Sequence, residues 1–390
     1  MTKVKYLPLT EVTTLVTDGK HGDCKNEENS GFYFLSSKDL RDGKLHYDKP
    51  RQINYTQFAE THRRTNLEFG DILLANTGAS IGRVGIAQVD ERIPNTTFQK
   101  SISVIKADRN VIDNRYLYYF FRNNSSLLSR LGGGAAQPNL LLGDIRKIQV
   151  RVPERATQLK ISKVLTDYDE LIENNSRRIE ILEEMALSLY REWFVNFRYP
   201  DYENNLGADG YPKLVDSPLG QIPEGWEVKT LKDVLELAYG KALKKADRKG
   251  GDVAVYGSGG IGGYHDKSLV TGPCIIVGRK GNVGKTFWVD PDCWPIDTVF
   301  YVKSDFSKYY LYYNLLHQTF FNSDAAVPGL NRESAYSNKI IIPSDDLVVM
   351  FNDFVKPIFE QRYVLAKANN NLKQQRDMLL PKLISGDIEL

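Results

Sequence analysis

Cysteine is scarce here. Cys24, Cys274 and Cys293 are the three in 390 residues, spaced far apart, with no CxxC pair and no histidine-rich neighbour. That pattern argues against a disulfide framework and against a zinc site. His21, His46, His62, His265 and His317 are equally scattered and offer no metal-ligand spacing. No run approaches the eighteen apolar residues that a membrane span needs, and the first residues carry no apolar signal segment. A cytoplasmic chain without membrane attachment is therefore expected. The marks of catalysis are missing too. The stretch 257–263 is glycine-rich but no GK[ST] follows, which excludes a phosphate-binding P-loop, and no GxGxxG links a strand to a helix. There is no Asn/Asp-Pro-Pro-aromatic stretch of the kind an amino-methyltransferase uses to hold an extruded base; Asp290 and Pro291 lead into Asp292 and Cys293 instead. Pro200 and Asp201 lack the downstream Glu-x-Lys of a common nuclease core.

Charge of either sign is nearly balanced, with 51 basic against 49 acidic residues. Its distribution says more. Basic residues outnumber acidic ones 21 to 16 over residues 1–150, whereas 151–200, 201–343 and 344–390 each carry a slight acidic excess. Lys241, Lys244, Lys245, Arg248 and Lys249 form a cluster against Asp247 alone, either a solvated face or an anion-binding one. A hydrophobic fraction of 42% and 11% aromatics argue for ordered structure, and 390 residues are too many for one core.

Residues 157–193 carry a seven-residue repeat. Ile161, Leu165, Tyr168, Ile172, Asn175, Ile179, Leu182, Ala186, Leu189 and Trp193 step alternately by four and three, the seam of a helix packed along another helix. The same frame returns near the C-terminus at Phe351, Val355, Ile358, Arg362, Leu365, Asn369, Leu372, Arg376, Leu379 and Leu383. Left single, either stripe would expose several kcal/mol of apolar surface, so a partner helix is required. Arg362 and Arg376 interrupt the second seam. Pro357 is expected in its first turns or at a kink.

The repeat extends beyond the helices. Leu9-Thr10-Glu11-Val12 and then Gly19-Lys20 are echoed by Leu231-Lys232-Asp233-Val234 and then Gly240-Lys241. The run from Asp71 to Ala75 matches that from Cys274 to Val277, and residues 80–83 match 282–285. Asn95-Thr96-Thr97-Phe98 matches Asp297-Thr298-Val299-Phe300, residues 116–119 match 310–313, 135–138 match 325–328, and 150–153 match 340–343. Two copies of one α+β module follow, each ending in a long helix. Short apolar runs bounded by Gly and Asp read as strands, the glycine-rich links as turns, and 114–123 and 308–318 as short helices with aromatic core faces. The segments predicted are a first module at 1–153, a first spacer helix at 154–198, a linker and second module at 199–343, and a second spacer helix at 344–390.

What remains suits binding. Lys20, His21, Asn76, Thr77, Arg83, Arg279, Lys280, Asn282 and Lys285 lie in predicted loops; they combine phosphate donors with Arg and Asn, which can pair bidentately with guanine or adenine edges. Tyr256, Ser258, Tyr264 and His265 belong to a stretch in which the second module departs from the first. Simple surface solvation explains any one of them alone. Gly78, Gly82, Gly281 and Gly284 would let backbone approach DNA, or form tight turns.

The order of these motifs resembles the specificity subunit of type I restriction-modification systems. The resemblance rests on the module–helix–module–helix plan, on 189–197 closing the first helix, on 220–226 opening the second module, on 278–284, and on 379–387 at the end. It spans nearly the whole chain, and the segment 18–24 departs most between the copies. It implies two target recognition domains that read the halves of a split double-stranded DNA target, joined by two long antiparallel coiled-coil helices with pseudo-twofold symmetry. It implies no catalytic site and no cofactor in this chain: two modification subunits would bring S-adenosylmethionine and the methylation chemistry, and restriction subunits the motor and nuclease. Alternatives from other classes are a self-contained DNA methyltransferase or nuclease, and a coiled-coil scaffold indifferent to DNA.

Overall fold

The computed structural model describes residues 4–132, 139–206, 213–320 and 329–390. Its long helices are Arg155–Phe194, of 40 residues, and Asp345–Ser385, of 41. Compact units do not follow the four sequence segments. One unit holds residues 1–174 with 369–390, the other residues 175–368, so each takes half of both long helices.

In the first unit the centre is a four-stranded antiparallel sheet in the order Thr13–Asp18, Ile102–Ala107, Ile72–Ala75, Val84–Ile86. Ile72–Ala75 is buried at every residue, as a strand covered on both faces must be. Alternation then sorts the side chains. Ile72 and Leu74 join the core beneath helix Asn114–Asn123, while Leu73 and Ala75 join a second cluster with Leu35, Phe98 and Val104. Tyr33–Leu35 pairs in parallel with Thr96–Phe98, and Lys5–Pro8 closes antiparallel on Gln149–Val152.

The second unit repeats the plan. Its sheet runs Glu236–Tyr239, Val299–Lys303, Cys274–Gly278, Thr286–Val289, again antiparallel, with the parallel pair Val253–Gly257 and Cys293–Pro295 and the closing pair Glu227–Thr230 and Lys339–Ile342. Ile275 and Val277 face the helix-side core, and Cys274 and Ile276 the other cluster. Even the caps correspond: the Asp113 side chain accepts from Tyr116 N at 2.9 Å, and the Ser307 hydroxyl from Tyr310 N at 3.1 Å. The aromatic helices that follow are core, with Tyr116 to Phe121 all buried. The matched stretches 135–138 and 325–328 lie outside the described residues.

The predicted seams face inward. Ile161, Leu165, Ile172, Asn175, Ala186 and Trp193 are buried on the first helix, and Phe351, Val355, Leu365, Asn369, Arg376 and Leu383 on the second; Tyr168, Ile179, Leu182, Leu189, Ile358, Leu372 and Leu379 are half-buried. In the first unit Asn369 Nδ2 donates to Ile172 O at 3.1 Å. In the second, Trp193 and Phe351 meet with ring centroids 5.9 Å apart.

Five expectations need correction. The match of 95–98 with 297–300 does not hold, because Thr96–Phe98 corresponds in the sheets to Cys293–Pro295, and Val299–Lys303 to Ile102–Ala107. Of the two places expected for Pro357 the first turns are excluded: it is the thirteenth residue of Asp345–Ser385, and the helix continues past it, with Val355 and Phe359 buried on either side. The stretch 257–263 is not a free turn: most of it lies in a hairpin of Val253–Gly257 with Gly260–His265, shifted in register at Val255/Tyr256, because its glycines tolerate that irregular backbone. The join between modules contains its own hairpin, Leu214–Ser217 with Gly220–Pro223, and buries Ile222. Cys274 and Cys293, distant in sequence, have their sulfurs 3.6 Å apart because the fold returns Cys293 to the cluster under Cys274; both thiols are free and buried. Among the described residues no helix is long and apolar enough to cross a membrane.

Candidate nucleic-acid interface

Each sheet ends in a loop built to the same hydrogen-bond scheme. In the first module Ala75 N donates to Arg83 O, Gly82 N to Ala75 O, and Leu140 N to Asn76 O at 2.8 Å. In the second, Gly278 N donates to Lys285 O, Gly284 N to Gly278 O, and Leu330 N to Arg279 O at 2.7 Å. The loops 76–83 and 279–285 are thus equivalent, and Gly78, Gly82, Gly281 and Gly284 all adopt the left-handed backbone that their turns require. A second backbone landmark lies beside each loop. A Cβ on Gly19 would stand 2.1 Å from Phe98 O, and one on Gly240 2.1 Å from Ile296 O. No other residue fits at either place.

Around the first loop Arg83 is exposed and lines a groove of about 590 Å³ together with Arg41, Arg122, Ser125, Ser126 and Ser129. Thr77 bridges to Asn139. Asn76 is buried and donates to Ser103 Oγ at 3.0 Å, so its amide serves the scaffold. Lys20 is engaged as well: its ammonium donates to Glu60 at 2.9 Å, and this hydrogen bond raises its pKa. His21 is exposed, with Nε2 2.8 Å from Asp18 Oδ2, and Asp18 also binds Arg64 at 2.5 Å. Glu60 and Arg64 belong to helix Tyr55–Thr65, for which the second module has no equivalent among the described residues.

In the second module Lys280, Asn282 and Lys285 are exposed, and Lys285 Nζ lies 5.1 Å from the Phe287 ring. Arg279 is half-buried; it donates to Asp297 O at 3.0 Å and stacks on Tyr239 at 5.0 Å. Ser258 N donates to Thr298 Oγ1 at 3.4 Å, which brings the tip of the glycine hairpin to the same loop. Tyr264 is exposed on that hairpin, whereas Tyr256 and His265 turn inward. Burial pushes the Tyr256 phenol up to about 12. His265 Nδ1 accepts from Lys249 N at 3.3 Å, and its ring stands edge-on to Trp294. The basic cluster is exposed except for Arg248, which is half-buried and donates to Gly262 O and Leu243 O.

The structure therefore gathers Ser258, Arg279, Lys280, Asn282 and Lys285 at one edge, with Lys241 close by through its bond to Pro295 O. It turns Asn76, Tyr256 and His265 to structural work. Tyr239, Arg332 and Arg41 were not singled out from the sequence. Tyr239 directly precedes the matched Gly240, and that adjacency was the available signal. Among the described residues no cluster of His, Cys, Asp and Glu could hold a metal ion.

Comparison with known proteins gives these loops a setting. The family model for the type I restriction modification DNA specificity domain matches residues 1–184 and 223–347. The chain is 28% identical over 389 residues to the type I restriction enzyme MjaIX specificity subunit of Methanocaldococcus jannaschii, covering 92% of this chain and 87% of that one. It is 23% identical over 407 residues to the HindI specificity subunit of Haemophilus influenzae, covering 82% and 86%. The fold is similar to that of a type I restriction-modification S subunit from M. genitalium, with a TM-score of 0.62 at 16% identity over 98% of this chain and 96% of that one. With two equivalent modules, each presenting a basic loop at its sheet end, this chain belongs to the type I restriction-modification DNA specificity family, the recognition component and not the catalytic one.

Proposed function

We propose that the two modules read different halves of a split double-stranded DNA target. The observation that carries this is a shared frame dressed differently. Gly19 and Gly240 each press on an equivalent pair of carbonyls, those of Phe98 and Gln99 and those of Pro295 and Ile296, and loops 76–83 and 279–285 follow the same hydrogen-bond scheme. Around them one module places helix Tyr55–Thr65 and the other the hairpin 253–265. A common frame fixes how a module meets the duplex, while different attachments present different donors to the base edges. The candidate readers are Arg83, Thr77 and His21 in the first module, and Ser258, Tyr264, Arg279, Lys280, Asn282 and Lys285 in the second.

The paired long helices are the proposed docking surface for two modification subunits, with restriction subunits completing the complex. Apolar side chains left outside the seam support this reading: Leu159, Leu171 and Met378 in the first unit, and Ile181, Phe354 and Val364 in the second, are all exposed. S-adenosylmethionine belongs to the modification subunits in this scheme. Substituting Arg279→Ala and Lys285→Ala in the chain co-expressed with its modification subunit, and mapping methylated sites, tests the division of labour. One half of the target should relax, at ~1–3 kcal/mol for each bidentate pairing with a base that the substitution removes. Unchanged methylation in both variants would remove these residues from the interface.

A further inference from the structure

Tyr239 ends strand Glu236–Tyr239 and is 48% exposed, directly before Gly240. Two guanidinium groups share its ring. Arg279 Cζ and Arg332 Cζ each lie 5.0 Å from the ring centroid. Stacking of this kind holds a cation in place without using its in-plane donors. Arg332 also lies 5.8 Å from the Tyr336 ring, and its Nε is buried without a hydrogen-bond partner. The acidic neighbour of Arg332 is Glu333, 3.7 Å from Nε and itself 69% exposed. Arg279 spends one donor on Asp297 O and forms no ion pair among the described residues.

Two like charges held at one ring with so little compensation repel each other, and an anion would relieve them. The first module has nothing comparable among the described residues. The positions equivalent to Tyr239, Arg279 and Arg332, by the strand end, the loop scheme and the start of the helix Leu142–Arg146, are Asp18, Asn76 and Leu142. The doubly cationic ring is therefore no part of the common frame.

We propose that Arg332 is a phosphate clamp of the second module, holding the DNA backbone beside the bases that loop 279–285, Arg279 included, reads. This rests on the reading of that module as a DNA-contacting surface. Phosphate is the chemistry that the geometry favours for Arg332: two rings hold its guanidinium in place, and stacking does not use its in-plane donors.

The test uses the full chain and a fluorescein-labelled DNA duplex of mixed sequence, with affinity measured across a salt series. Variants are Arg332→Gln, Arg332→Lys and Glu333→Gln, with Lys303→Gln at the far end of the same strand pair as a control, all checked for folding by circular dichroism. Arg332→Gln should reduce the slope of log affinity against log salt by about 0.9, the value for one phosphate left without its cation. Arg332→Lys should keep the wild-type slope. Glu333→Gln, which needs no change at the ring and keeps the test open should Arg332→Gln fail to fold, should tighten binding on the order of threefold. An unaltered slope in folded Arg332→Gln, or no tightening in Glu333→Gln, overturns the clamp. Equal losses in the Lys and Gln variants would point to a base edge and contradict the phosphate assignment. If the unaltered chain shows no salt-dependent binding, the underlying DNA reading fails, which is a separate outcome from failure of Arg332.

Discussion

Asp169 and Arg376, 207 positions apart in sequence, meet at 2.6 Å in the seam between the two long helices. Asp169 also accepts from Tyr119 Oη at 2.8 Å and from Arg122 at 2.9 Å, so one carboxylate ties both helices to the aromatic helix of the first module. The second unit contains its counterpart two heptads away on each helix: Arg362 bonds Glu183 at 3.1 Å and Asp290 at 2.7 Å. Both pairs obey one antiparallel register. The arginines that interrupt the second seam are thus neutralised by acids on the first helix, and a stripe that reads as weak in isolation is complete in the pair.

Removing the hub should be costly. Asp169→Ala leaves Arg122 and Arg376 facing each other across a mostly buried site, and is expected to lower unfolding free energy on the order of 3 kcal/mol. Urea denaturation checks the figure. A double-mutant cycle with Arg376→Met should recover part of that stability, since the second substitution removes a seam charge left with Asp377 alone, 2.8 Å away.

The glycine landmarks give a second prediction. Gly19→Ala and Gly240→Ala each drive a methyl group against a backbone carbonyl, and each should destabilise its module by ~2–3 kcal/mol. Proteolysis should then begin in the mutated module in both variants. A fully stable Gly240→Ala would show that the two positions are not equivalent.

The repeat was legible in the sequence because backbone landmarks permit few residue types, and the heptads because buried seams must be apolar. The functional side chains were harder to read. Asn76 and Arg279 occupy equivalent positions, yet one is buried against Ser103 while the other stacks on Tyr239, since the neighbouring inserts differ. His265 and Tyr256 look available in the sequence but sit on the inner side of a hairpin that a glycine-rich stretch conceals. Arg332 belongs to no motif matched between the two modules. Which side chains share one ring is decided by tertiary packing, not by spacing along the chain.

Lys20 is a candidate phosphate ligand whose charge is already answered by Glu60. Glu60→Gln should free it and tighten DNA binding by the first module, on the order of threefold at low salt. Fluorescence anisotropy on a labelled duplex checks this. Weaker binding would mean that the pair positions helix Tyr55–Thr65.

Tyr256 and Tyr264, on the same hairpin, should behave oppositely. Tyr264→Ala is expected to weaken DNA binding, whereas Tyr256→Phe should leave it unchanged. Burial raises the Tyr256 phenol from 10.0 to about 12, so its contribution to stability is fully present below the unfolded pKa and is lost as pH rises through the folded one. Unfolding free energy should fall between those two values in the unaltered chain and fall less in Tyr256→Phe. Denaturation across that alkaline range measures both.

The central claim is that this one chain chooses the DNA sequence through two separate readers. Co-expression with its modification subunit in a host that lacks adenine methylation, followed by single-molecule sequencing of the methylated genome, tests it most directly. The account predicts one split motif with a fixed gap, in which Arg279→Ala and Lys285→Ala relax the same half and leave the other intact. Methylation at an uninterrupted motif, or relaxation of both halves by either substitution, would contradict it.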